Sequence, residues 1–153
     1  MPKLEQLLKN LECKISEHET INTAISTANV GWQIEHILLT INGVVDALRN
    51  PRTAYKWSFR LPRILVFGMN KIPRGKAKAP KKVQPKGSFD VMNIKKQFET
   101  ARKSIQLLQT LDKNLYFEHP FLGHLKLKQT KKFLEIHTKH HLKIIDDITQ
   151  IND

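Results

Sequence analysis

His137 and His141 stand four positions apart. Two imidazoles at that spacing on a helix can aim ring nitrogens at one ion, because side chains three or four apart are neighbours. In a stretch rich in lysine and histidine the same spacing more often marks a solvated face, so burial decides. On a wheel advancing about 100° per residue, Phe133, Leu134, Ile144, Ile145, Ile148 and Ile151 gather on one side, with Glu135, Lys139, Lys143 and Asp146 opposite. His137 and His141 fall near the middle of the apolar arc and His140 at its edge, which makes His140 the second choice. Buried imidazoles need partners, and a shared cation satisfies both.

A third ligand has to come from another inward face. His36 is the best candidate, among Trp32, Thr40, Gly43 and Ala47 on a second stripe of its helix; a lone histidine there can equally be a satisfied core residue. Three imidazoles with an open position for water or substrate make the arrangement of a catalytic metal site rather than a structural one. His119 and His124 flank the turn Pro120-Phe121-Leu122-Gly123 and read as loop or supporting histidines rather than ligands. His18 has nothing metal-like near it. No carboxylate is placed as a general acid or base: Glu35 points away from His36, and Glu118 lies in a loop, so no catalytic residue is assigned.

The elements that must position these residues read as helices. Leu4, Leu7, Leu8, Leu11 and Ile15 give a first amphipathic helix, with Cys13 opposite its buried stripe. A second runs from Val30 to Arg49 and stops before Asn50-Pro51. Its broad apolar face of Ile34, Ile37, Leu38, Ile41, Val44, Val45 and Leu48 leaves little polar arc, so most sides must be covered. A third starts at the N-cap Asp90 and carries Val91, Ile94, Phe98, Ala101, Ile105 and Leu108 as a heptad-like seam. The last occupies about Lys128 to Ile151. Between the second and third, Trp57 to Met69 suggests a short apolar helix broken by Pro62, which either caps the bundle or forms a substrate mouth or dimer contact. With no convincing strand, the expected fold is all-α: a single domain over residues 1–153, with four principal helices and a long crossover between the second and third.

The formal net charge of +12 admits an anionic partner, and much of it crowds into a loop over residues 71–86 containing Lys71, Arg74, Lys76, Lys78, Lys81, Lys82 and Lys86. That loop has no interleaved aromatics for base stacking and there is no recognition-helix signature, so solvated charge is favoured over nucleic acid binding. One cysteine excludes an internal disulfide framework and fits a reducing compartment. No segment approaches the roughly 18 apolar residues of a membrane span. Met1-Pro2-Lys3-Leu4-Glu5 does not open a secretory leader, so the expected location is the cytoplasm, with no membrane partner.

Trp32-Gln33-Ile34-Glu35-His36-Ile37-Leu38, followed a hundred residues later by His137-Thr138-Lys139-His140-His141-Leu142, resembles the DinB-like (YfiT-type) metal-binding four-helix-bundle superfamily in order and spacing over most of the chain. Gly75-Lys76-Ala77-Lys78-Ala79-Pro80 and His119-Pro120-Phe121-Leu122-Gly123-His124-Leu125 resemble a bacterial branch of it. The resemblance implies a divalent metal ion, zinc or nickel foremost, held by a histidine of the second helix and a His-x-x-x-His pair of the last; those roles fall on His36, His137 and His141. It further implies a transferase acting with a low-molecular-weight thiol, or alternatively a metal-dependent hydrolase, and a homodimer as a possible state. A non-enzymatic polyanion-binding protein using the loop 71–86 is the competing class. Fold alone fixes none of these activities.

Overall fold

Apolar residues recurring at three and four positions build five helices, and the two that carry the histidines pack directly on one another. The computed structural model describes residues 2–51, 53–75 and 79–150. The helices are α1 (Pro2–Glu12), α2 (Val30–Arg49), α3 (Leu61–Met69), α4 (Val91–Leu107) and α5 (Leu127–Thr149), with a hairpin of β1 (Tyr116–His119) and β2 (Gly123–Lys126) ahead of α5. Lys76 and Lys78 of the basic loop, and Ile151, expected in the last helix, lie outside the described residues.

α2 packs against α4 and α5, and α1 against the same two helices. The core between them includes Leu4, Leu11, Ile34, Ile37, Leu38, Ile41, Phe98, Ile105 and Ile145. The wheel reading of α2 holds for its main face, since all seven of its apolar positions are buried. Its second stripe is covered at His36 and Thr40 but reaches solvent at Gly43. The cover comes from the crossover, where a short 3₁₀ turn at Lys81–Val83 lies on α2.

Local chemistry fixes the helix ends. Asn29 caps α2 by accepting the Trp32 amide at 2.9 Å. Gly31 permits its close entry: a Cβ there would stand 2.8 Å from the Phe89 ring and 3.0 Å from the His18 carbonyl. Asp90 caps α4 through the Met92 amide at 2.9 Å. Asp90→Ala is expected to lower stability by about 1 kcal/mol, measured as a shift in urea midpoint at unchanged slope; no shift would deny the cap its role. α5 begins where the Lys126 amide donates to Gln129 Oε1 at 3.2 Å.

Three expectations need correction. Pro62 does not break a helix: it sits in the first turn of α3, where its missing amide is harmless, and Trp57 and Phe59 precede the helix. The first helix ends at Glu12, and Ile15 belongs to a separate 3₁₀ turn that packs against the core. The fold is mostly helical but not strandless. β1 and β2 pair antiparallel with Phe117 opposite Leu125, both buried, and the ladder extends through Leu127 N–H to the Leu115 carbonyl at 2.8 Å. Gly123 follows the turn at φ +72°, in the left-handed region, where a Cβ would also lie 2.8 Å from Ser58 Oγ.

Candidate metal centre

α2 and α5 bring His36, His137 and His141 together. One ring nitrogen from each lies within 4.8 Å of the others, and no other such group of histidine, cysteine or carboxylate side chains occurs among the described residues. His36 and His137 are buried, and His141 is half-buried. The ring centroids are 5.0 Å apart for His36 and His137, 4.6 Å for His36 and His141, and 4.5 Å for His137 and His141.

Hydrogen bonds from outside the cluster set the tautomers. The Val83 carbonyl can only accept, so His36 Nδ1 donates to it at 2.7 Å and Nε2 carries the lone pair. Gln33 Oε1 likewise accepts from His141 Nδ1 at 2.6 Å, leaving a lone pair on His141 Nε2. Gln33 is itself oriented by a bond from its Nε2 to Ser26 Oγ at 3.3 Å. Trp32 stacks on the His36 ring at 5.0 Å between centroids. A carbonyl or amide oxygen behind each ring is the support that metal-binding histidines use.

His137 has no such support. Its Nε2 is 3.2 Å from His36 Nε2, and its buried Nδ1 has no hydrogen-bond partner. Two nitrogens bound to one tetrahedral ion at about 2.0–2.1 Å would stand roughly 3.3 Å apart, so the His36–His137 separation matches a shared cation. The wider spacing within the group requires a modest approach by the third ring. The donor set of neutral imidazoles therefore fits a divalent ion.

Burial keeps these rings neutral. Desolvation is the largest cause throughout. It holds His137 well below the usual histidine range, helped by His141, His36, His140 and His119. His141 is lowered in the same way, helped by His36 and His140. His36 is lowered too, although its bond to Val83 opposes the shift. Neutral nitrogens are ready to ligate without losing a proton.

The other histidines fall outside the trio. His140 packs edge-on against His141 at 5.0 Å and is pushed down to about 4 by burial, then by Arg74, His36 and Lys71. His119 Nδ1 accepts the amides of Phe121 and Leu122, each at 3.1 Å, and burial lowers it to about 4. His124 Nδ1 accepts the Lys56 amide at 2.6 Å and its ring stacks on Tyr116. His18 bonds its own turn through the Ile15 carbonyl. Of the carboxylates considered, Glu35 accepts from Gln97 and Glu118 stands 3.7 Å from His124, so neither belongs to the trio.

Sequence reasoning missed Gln33 and Val83. Gln33 was legible in principle, since it lies three positions before His36 on an otherwise apolar helix. Val83 contributes a backbone atom, so no side-chain signal exists. Gln33→Leu is expected to weaken metal binding about 10- to 100-fold by freeing the His141 ring; calorimetric titration with zinc giving wild-type affinity would deny Gln33 that part.

A cleft of about 210 Å³ adjoins His141, lined by Trp32, Gln33, Arg74 and His140 among others. Arg74 comes from the basic crossover and pairs with Asp147 of α5 at 2.6 Å. No protein-family model, curated protein or solved structure matches the chain.

Proposed function

We propose that the chain is a divalent-metal-dependent enzyme with a DinB-like four-helix bundle, holding zinc or nickel through His36, His137 and His141 and transferring a group with a low-molecular-weight thiol. The observation that carries the metal reading is the convergence of three neutral imidazoles, two of them fixed by Val83 and Gln33 with the lone pair on Nε2, and the third with its Nε2 3.2 Å from that of His36. An ion in that position supplies Lewis acidity, which lowers the pKa of a thiol or water brought to it. The chain supplies the rest. Burial keeps the ligands unprotonated, and the cleft beside His141 gives a small substrate access next to Trp32, His140 and Arg74.

Hydrolysis is the second reading and asks more of the protein, because a general acid or base must stand near the reacting atoms. Glu35 and Glu118 are both engaged elsewhere, which favours transfer. The polyanion-binding reading draws less support, because the basic crossover is tied to the bundle: the Val83 carbonyl accepts from His36, and Arg74, though exposed, is paired with Asp147. Metal analysis of protein purified without a histidine tag, before and after incubation with zinc or nickel, tests the proposal. One equivalent is expected in wild type and none in His36→Ala or His141→Ala. Wild type that cannot be loaded would overturn it. With loading established, thiol-transfer assays set against ester and amide hydrolysis divide the two reactions.

A further inference from the structure

Twelve of the 26 lysines and arginines, and none of the 14 aspartates and glutamates, fall between Asp46 and Asp90, so the rest of the chain is balanced at fourteen of each. The entire net charge of +12 therefore belongs to the stretch holding the crossover. The same stretch holds most of the large apolar side chains left in solvent. Trp57 is 69% exposed and Phe59 65%, and Leu61, Ile64, Leu65 and Met69 of α3 are exposed as well.

α3 is apolar on two sides. Val66 and Phe67 face the core, while Leu61, Ile64 and Leu65, at steps of three and four, share the opposite face with Met69. The hairpin turn sits beside the segment that leads into α3, because Gly123 abuts Ser58 and Arg60, and the turn presents Phe121, also exposed. Around the patch stand Lys56, Arg60 and Lys71, all exposed, and Arg63, whose guanidinium bonds the Ser58 carbonyl and braces the approach to the helix. An exposed apolar surface of this extent marks an interaction site.

We infer that this face docks peripherally on an anionic phospholipid bilayer, inserting Trp57, Phe59 and the outer side of α3 among the headgroups while the surrounding lysines and arginines meet lipid phosphates. Charge complementarity selects this occupant. A second copy joined face to face would set two identical surfaces bordered by lysine and arginine against each other. A nucleic acid would neutralise the charge but offers nothing to Leu61, Ile64, Leu65 and Met69, which want hydrocarbon. Aromatic and aliphatic residues bordered by basic ones are what an interfacial element requires, and each basic residue near an anionic surface contributes roughly fivefold in partitioning. Such docking needs no span, and no described helix is long and apolar enough to cross a membrane. It departs from the sequence expectation of no membrane partner, which concerns only a spanning segment and a leader, and is independent of the metal.

Sedimentation of the full chain with vesicles of phosphatidylcholine alone, or mixed with phosphatidylglycerol, tests it. Wild type is expected to partition at least tenfold better onto the anionic vesicles and to be released at about 0.5 M salt, where the Debye length is only a few ångströms. Trp57→Ser combined with Leu65→Ser, and separately Lys56→Glu combined with Arg60→Glu, are each expected to lose at least tenfold, with far-ultraviolet circular dichroism and melting unchanged. Brominated lipid should quench tryptophan emission in wild type but not in Trp57→Phe. No partitioning at low salt would overturn the proposal. So would binding to anionic vesicles and to a DNA fragment alike that survives Trp57→Ser with Leu65→Ser, which would mark a simple polyanion surface. A dimer that protects Trp57 and ignores vesicles would assign the face to a second copy instead.

Discussion

Metal-free His137→Leu is expected to melt within a few degrees of metal-free wild type, yet to gain nothing from zinc or nickel. His137 is 8% exposed, its Nδ1 is unpartnered, and its Nε2 meets only another imidazole. Leaving a buried polar atom unsatisfied costs about 1–3 kcal/mol; leucine removes the orphaned Nδ1 and keeps apolar contact with Phe133, whose ring lies 5.5 Å away, but it withdraws the partner of His36 Nε2, so the two effects largely offset. A residual difference of about 1 kcal/mol corresponds to roughly 2–4 °C in a chain of this size. Wild type, by contrast, should gain about 2.7 kcal/mol from metal at a hundred times its dissociation constant. Scanning calorimetry of both proteins with and without metal reads the two effects together. A histidine kept for structure gives a different pattern, a markedly lower melting temperature in His137→Leu and no response to metal in either protein. The prediction turns on the metal response that wild type alone should show.

Acidification is expected to destabilise the metal-free protein well before its carboxylates titrate. His119 and His140 have folded pKa values near 4, and those of His137 and His141 are also well below the ordinary 6.5. A depressed histidine pKa means that the unfolded chain binds the proton first. The contribution is therefore complete above about pH 6.5 and is lost as pH falls through the window between 6.5 and the folded value. At pH 5.5 each histidine still held neutral costs about 1.4 kcal/mol relative to pH well above 7, somewhat less for His140, which is partly solvated. Several together lower the melting temperature by on the order of 10 °C. Melts between pH 7.5 and 5.5 would show it, and a flat profile would mean that the imidazoles are not desolvated as a group. Because the ligands remain neutral across the same window, zinc affinity should change little between pH 7 and 6, whereas solvent-exposed histidines would lose ligand to protonation there.

How much of this could be read in the sequence depended on which atoms carried the information. Helix periodicity placed α2 at its observed limits because apolar residues recur at steps of three and four from Ile34 to Leu48 and Asn50-Pro51 ends the pattern. The wheel put His137 inside for the same reason, Phe133, Leu134 and Ile144 sharing its arc. His36 stayed ambiguous, since its burial depends on the crossover, which carries no periodic pattern. The hairpin was missed because each strand has only four residues, too few for alternation to declare itself. A better signal was present in Pro120-Phe121-Leu122-Gly123, where glycine ends a tight turn between two short runs. α3 was open in a different way: its apolar composition allowed a bundle cap or a contact surface alike, and the fold leaves its outer side in water.

The bond from His36 to the Val83 carbonyl makes the path of the crossover, more than its composition, the thing under constraint. Almost any side chain at position 83 leaves that oxygen in place, so substitutions there should be tolerated freely. Removing or inserting one residue between Ala79 and Gln84 would not be, because it slides a different carbonyl, or none, behind the His36 ring. This segment should therefore vary readily in spelling and scarcely at all in length.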